Sequence, residues 1–242
     1  DVHERSALQG EALQAVVQAE AFATRCTAEH DEGACNRARE LFTEAADTWN
    51  ALVVGRPGDA EVVEWTVQRA QALLGAGSLA EAAATARQAL VTSTDAVWRK
   101  AAAEVLVRSR ELAIEKAELA VRQAPPEPTG EPPAVRPIDL PLAVAYLREA
   151  RERYLELVPE APDTASARRT YALDNAQLLF RYGHWSEART ALQAVFDAGC
   201  VGEGAWAGAA TAWRALRDMS VALAQFDAVA ELGRALTERS CD

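Results

Sequence analysis

Apolar residues return every three or four positions along most of this chain. Between 35 and 54, Ala38, Leu41, Phe42, Ala45, Trp49 and Leu52 share one side of a helical wheel, while Arg37, Glu40, Glu44 and Asp47 fall elsewhere. That period is the signature of an amphipathic helix with one buried stripe. The same reading predicts helices over 3–24, 35–54, 60–75, 79–92, 95–122, 139–157, 163–181, 184–198, 203–216 and 219–238, and no strand. The expected fold class is therefore all-α. Pro57 and Gly58 stop the second helix, Ser6 with Gln9 reads as a capping box for the first, and Asp59, Asp95 and Asp163 stand where N-caps are expected.

One stretch breaks the period. Pro125, Pro126, Pro128, Pro132, Pro133, Pro137 and Pro141 crowd the segment 124–141, where missing amide protons and fixed φ forbid a helix. It reads as a stiff, extended connector, with a proline-rich ligand for a partner as the sharper alternative. The expected organisation is an N-terminal half over 1–123, the connector over 124–141 and a C-terminal half over 142–242, with one continuous solenoid anticipated.

A duplication crosses that connector. Ala70, Gln71, Leu73, Gly77, Glu81 and Ala82 recur as Ala176, Gln177, Leu179, Gly183, Glu187 and Ala188, all at an offset of 106 residues. Pro57 and Asp59 precede the first block as Pro162 and Asp163 precede the second, and Trp98 with Ala102 follows the first as Trp206 with Ala210 follows the second. Within the second half, Ala188 and Ala222 stand 34 residues apart, which suggests a shorter repeat of that length. A Gly permits a tight reversal between helices, and a small Ala lets two antiparallel helices approach closely.

The segment Gly183-His184-Trp185-Ser186-Glu187-Ala188 resembles the inter-helix turn of the tetratricopeptide repeat (TPR) superfamily, and Gly77-Ser78-Leu79-Ala80-Glu81-Ala82 resembles it with Leu in place of the aromatic residue. Trp206, Ala210, Ala222 and Phe226 fit the large-small-small-large arrangement of a last repeat, in which Arg217 stands where the turn Gly is expected. The resemblance covers 60–92, 163–198 and 203–238. Segment 95–122 fits poorly, lacking a Gly or Pro turn, and reads as one long helix. The resemblance implies a TPR-like α-solenoid of antiparallel hairpins, about ten helices in all, with a plain helical bundle as the alternative.

It also implies a groove lined by the first helix of each hairpin. Carried over position by position, its residues are Gln71, Leu74, Leu173, Gln177, Phe180, Arg181, Thr211 and Arg214, with Glu64, Val67, Thr170 and Ala207 beside them. A looser alignment through Trp98 adds Arg99 and Leu106. The Lys and Asn pattern by which some TPR domains clamp a peptide C-terminus is missing, which disfavours chaperone-tail binding.

Composition narrows the function. The 242 residues carry a formal net charge of -11, so the surface repels phosphate backbones and nucleic acid is not an expected partner. No stretch approaches the roughly 18 consecutive apolar residues of a membrane span. The chain begins at Asp1 without Met, which fits a processed N-terminus and leaves room for a lipid anchor before it.

The four cysteines lie as two pairs near the two ends, Cys26 with Cys35 and Cys200 with Cys241. An antiparallel hairpin brings the first two together, and the stacked hairpins of the resembled fold set the second two side by side. Such disulfides would contribute about 3 and 4 kcal/mol and belong to an oxidising compartment. Four unrelated cytosolic thiols, or a metal loop over 26–35 that offers the two thiols, the His30 imidazole and the carboxylates of Glu29, Asp31 and Glu32, are the competing readings.

His3, His30 and His184 are the only histidines, and no phosphate loop, nucleophile elbow or His-Glu-x-x-His motif is present. No catalytic residue, metal or cofactor is therefore expected. The anticipated function is a non-catalytic TPR-type scaffold for protein partners in an extracytoplasmic, periplasmic or outer-membrane-associated complex of a bacterial type. A helical carrier of a small ligand or lipid of the cell envelope, and an enzyme or regulatory sensor domain of a cytosolic regulator, are the alternatives.

Overall fold

A computed structural model describes residues 2–199 and 207–238. Among the described residues the chain forms ten α-helices: α1 (Val2–Glu29), α2 (Glu32–Gly55), α3 (Val62–Gly75), α4 (Leu79–Thr92), α5 (Ala96–Lys116), α6 (Leu142–Leu157), α7 (Ala165–Arg181), α8 (Trp185–Gly199), α9 (Ala207–Ala222) and α10 (Phe226–Glu238). The one β feature among the described residues is an isolated antiparallel bridge between Thr129 and Ala134. The chain divides by packing into two units, with the boundary between Glu118 and Leu119.

In the first unit α1 to α5 pack each against the next. Alanine makes the close approaches: Ala12, Ala15 and Ala19 of α1 meet an α2 that buries Ala38, Ala45 and Ala46, and α4 buries Ala82, Ala83, Ala86 and Ala89. Larger side chains fill the space between, with Trp49, Leu52, Trp65, Val67, Leu106 and Val107 all nearly inaccessible. Each such residue contributes about 1.5–3 kcal/mol of transfer free energy. Gly75 ends α3 where a Cβ would stand 2.8 Å from the Phe42 ring, so its lack of a side chain sets the α2–α3 approach.

The α1–α2 hairpin is tighter than expected. Both helices run on until His30 and Asp31 alone remain between them, so the stretch left between the predicted helices 3–24 and 35–54 is mostly helix. Asp31 is the reason on the α2 side: its carboxylate accepts from Ala34 N at 3.1 Å as an N-cap. Ser6 lies inside α1 and caps nothing, because the helix already begins at Val2. Asp95 does cap, accepting from Val97 N at 2.7 Å, whereas Asp59 accepts from Glu61 N at 3.0 Å in the turn before α3. Thr164, rather than Asp163, organises the entry to α7, accepting from Ala161 N at 2.8 Å. As expected, 95–122 holds a single helix, and it ends early, at Lys116.

In the second unit α7 to α10 pack in sequence around Leu179, Trp185, Leu192, Phe196, Leu216 and Met219. Helix α6 joins α7 through Tyr154 and Tyr171, whose rings meet edge to face at 5.0 Å, and through Arg151, which pairs with Asp174 at 3.1 Å. The proline-rich segment belongs to this unit. Ile138 N donates to Tyr182 O at 2.8 Å, Arg122 N donates to the Tyr182 hydroxyl at 3.3 Å, and His184 Nε2 lies 3.1 Å from Ile138 O. Backbone groups of this stretch that no helix uses are thus met at the α7–α8 turn by the Tyr182 carbonyl and by the side chains of Tyr182 and His184.

Candidate partner-binding face

Three inter-helix turns share one set of hydrogen bonds. After α3, Ala76 N, Gly77 N and Ser78 N donate to the carbonyls of Ala72, Leu74 and Leu73. After α7, Tyr182 N, Gly183 N and His184 N donate to Leu178, Phe180 and Leu179. After α9, Leu223 N, Ala224 N and Gln225 N donate to Met219, Val221 and Ser220. Each is a helix end closed by one residue in the left-handed region: Gly77 at φ 78°, Gly183 at φ 79° and Ala224 at φ 56°.

These turns fix the register of the repeats. Gly77 and Gly183 are equivalent at the offset of 106 already visible in the sequence, but the third turn centres on Ala224, 41 residues after Gly183. The 34-residue period drawn from Ala188 and Ala222 is corrected accordingly: Ala222 ends α9, and Val229 takes the place of Ala82 and Ala188. Arg217 lies inside α9, where its guanidinium stands 5.3 Å from the Trp213 ring and pairs with Asp218 at 2.7 Å. The predicted break between 216 and 219 does not exist because Leu216 and Met219 are both buried on one helical face.

In the corrected register the face of α7 that carries Thr170, Leu173, Gln177 and Phe180 corresponds on α9 to Thr211, Arg214, Asp218 and Val221. Asp218 and Val221 were missed, since the only signal for them is the turn at Ala224, and an Ala does not announce a left-handed residue. Val221 is half exposed.

The predicted groove residues fall into three groups. Val67 and Leu106 are core residues of the first unit, at 0% and 2% exposure, and are not available to a partner. Leu173 and Phe180 pack on the second unit's core; the Phe180 ring lies 5.6 Å from that of Trp185, whose Nε1 donates to Phe180 O at 3.0 Å. The rest reach solvent to differing degrees: Gln71, Thr170, Ala207 and Arg214 are exposed, whereas Glu64, Leu74, Arg99, Gln177, Arg181 and Thr211 are half-buried.

Their polar groups are arranged locally. On α7, Arg181 Nη2 donates to Gln177 Oε1 at 3.3 Å. On α9, Arg214 Nη2 approaches Thr211 Oγ1 at 3.4 Å and its Nε donates to Ala210 O at 3.1 Å. In the first unit Arg99 Nε donates to Ser93 O at 2.9 Å, which ties it to the start of its own helix. Beside it, burial and the neighbouring Glu61 carboxylate push the Glu64 carboxyl above its ordinary range. Asp59 is held below its ordinary range, mainly by the Glu61 amide and further by Arg5.

Cys26 and Cys35 form a disulfide with Cα atoms 4.8 Å apart, within the reach of the bond. The metal-loop reading of that segment is thereby corrected, since neither sulfur is a thiolate. The predicted Cys200–Cys241 pair lies outside the described residues, as does Trp206. No cluster of potential metal ligands is found among the described residues, and no described helix is long and apolar enough to cross a membrane.

Among the described residues the architecture is all-α, and its hairpins are TPR-like: short turns closed by one left-handed residue, and small residues at the helix crossings. No protein-family model matches the chain, and no curated protein matches it. Among solved structures it is similar to a Podosopora anserina protein described as a kinesin light chain with nearly identical TPR-like repeats, at 14% identity, TM-score 0.49 and 93% coverage of each chain. It is also similar to BtubC (BKLC) from P. vanneervenii, at 13% identity and TM-score 0.38, covering 97% of this chain and 91% of that one.

Proposed function

We propose that this chain is a non-catalytic scaffold that binds protein partners along the first helices of its hairpins, within an extracytoplasmic complex at the periplasm or outer-membrane periphery. The observation that carries the reading is the pair of equivalent helices α7 and α9, which present Gln177–Arg181 and Thr211–Arg214 on corresponding faces of an otherwise acidic chain. Guanidinium groups on a helix face that are not locked into buried ion pairs suit an acidic or carbonyl-rich partner segment. The Cys26–Cys35 disulfide supports an oxidising compartment, and a lipid anchor before Asp1 fits the same setting.

The test is capture from envelope extract with the unaltered chain and with Arg181→Glu/Arg214→Glu as bait. A partner retained by the first and lost from the second, with cross-links on α7 and α9, is the expected result. Identical recoveries from both baits reject this face as the binding surface. For the compartment, alkylation of the native protein without reduction should leave Cys26 and Cys35 unmodified; full labelling of both would place it elsewhere.

A further inference from the structure

A cavity of about 350 Å³ opens between α6, α7 and α8 in the second unit. Eight of its eleven lining residues are apolar, and Ala172, Ala176, Ala191 and Ala194 leave the space unfilled. It lies on a different side of α7 from Leu173, Gln177 and Arg181, as the helical spacing of Ala172, Ala176 and Leu179 requires, so it is separate from the partner-binding face. The hollow is half open to solvent, and the alanines that α7 and α8 set along it leave it unfilled where larger side chains would close it.

One polar group marks what the space can accept. Asn175 lines the cavity and is only 7% exposed. Its Nδ2 donates to the Arg148 carbonyl at 3.2 Å, which fixes the orientation of the amide and leaves Oδ1 as the atom with no donor. A buried acceptor without a donor is unfavourable, and a small turn of the Asn175 amide toward the cavity its residue lines would bring Oδ1, now just beneath the wall, to a donor there. The exposed Glu152 and Arg169 bring opposite charges to the rim, so the site as a whole selects neither anion nor cation.

We infer that this cavity is a binding site for a neutral, compact, largely apolar small molecule bearing one hydrogen-bond donor, which it gives to Asn175 Oδ1. A cavity of 150 Å³ holds benzene, so this one suits a ligand of about ten to twelve non-hydrogen atoms. The ligand's body covers the alanine walls, and its hydroxyl or amide proton completes the Asn175 amide. Removing that donor from the ligand should cost affinity because Oδ1, already out of reach of water, then stays without a partner.

The probes are 2-naphthol and 2-methoxynaphthalene, titrated into the full chain by calorimetry and followed by NMR at the Asn175 side-chain amide. The expected result is 1:1 saturable binding in which the naphthol is at least tenfold tighter than its methyl ether. Ala194→Phe, at an exposed wall position that tolerates a larger side chain, should abolish binding of both while the melting curve is kept. Asn175→Leu should bring the two probes to within twofold of each other. Because Asn175 is buried, that last variant can fail to fold; the probe comparison and Ala194→Phe carry the test without it. No saturable binding, equal affinity for both probes on the unaltered chain, or binding indifferent to Ala194→Phe would each overturn the assignment.

Discussion

Gln225 donates its backbone N–H to the carbonyl of Ser220 at 2.8 Å, closing a turn in which Ala224 is held at φ 56°. At the equivalent positions of the two other hairpins stands a glycine. An L-residue in the left-handed region costs roughly 1–2 kcal/mol against glycine, partly offset by the greater chain entropy glycine loses on folding. Ala224→Gly should therefore stabilise the chain by about 0.5–1 kcal/mol in urea unfolding. A loss of stability would mean that the α9–α10 turn is not the third copy of the motif.

Gly77 and Gly183 share a backbone conformation and differ in surroundings. A Cβ on Gly77 meets nothing within 4 Å, whereas one on Gly183 would approach Pro126 Cγ at 2.8 Å, Val135 Cγ1 at 3.0 Å and Arg136 O at 3.1 Å. Gly77→Ala should cost about 1 kcal/mol from the left-handed φ alone. Gly183→Ala should cost more, about 2–3 kcal/mol, because the proline-rich segment must also shift. Limited proteolysis should then cut between 122 and 137 faster in the Gly183 variant, while Gly77→Ala keeps the parent's pattern. Equal losses would show that the segment is not seated on this turn.

The contrast between these two glycines and Ala224 explains how far the sequence could be read. The helices were legible because small and large apolar residues recur at helical spacing, and the α3–α4 and α7–α8 turns were legible because glycine names its own conformation. The α9–α10 turn was not, since Ala224 carries no such mark; Ala222 and Arg217 drew the register 7 residues short of the 41 observed. The same slip hid Asp218 and Val221. On the candidate face Gln71 and Arg214 are exposed, but spacing could not tell that Val67 and Leu106 face the core, a matter settled by which helix packs opposite. Nor could it find the cavity, because its alanines read as ordinary close-packing residues until α6 and α8 are set on either side of α7.

Glu64 and Asp59 should respond to pH in opposite senses. Folding raises the Glu64 carboxyl above its ordinary range, so its ionisation opposes the fold: the penalty is absent below the ordinary value and complete once pH exceeds the folded one. Glu64→Gln should accordingly melt higher than the parent at pH 7 and converge with it near pH 3. Folding lowers the Asp59 carboxyl, so its contribution is present above the ordinary value and fades as pH falls through the folded one. Asp59→Asn should melt lower than the parent at pH 7, with the difference shrinking in acid. Melting curves across that range check both signs at once.

Helix α1 buries the fewest residues of the five helices of the first unit, and the disulfide lies at its C-terminal end. Only Ala12, Ala15 and Ala19 are buried along its 28 residues, and α2 is its main helical neighbour. Its N-terminal half is tied down by Arg5 to Asp59 at 3.3 Å and Gln9 to Glu61 at 2.7 Å, but these partly exposed polar contacts are weak. Its C-terminal half is held by Cys26–Cys35 across the His30–Asp31 turn. Closing a loop of that length stabilises by about 3 kcal/mol in the chain-entropy account. Paired Cys26→Ala and Cys35→Ala should thus lower stability by that order, and amide exchange should rise first over 12–29 while α3 to α5 keep their protection. Exchange rising evenly across the whole first unit would instead show that α1 unfolds only together with the core around Trp49 and Trp65.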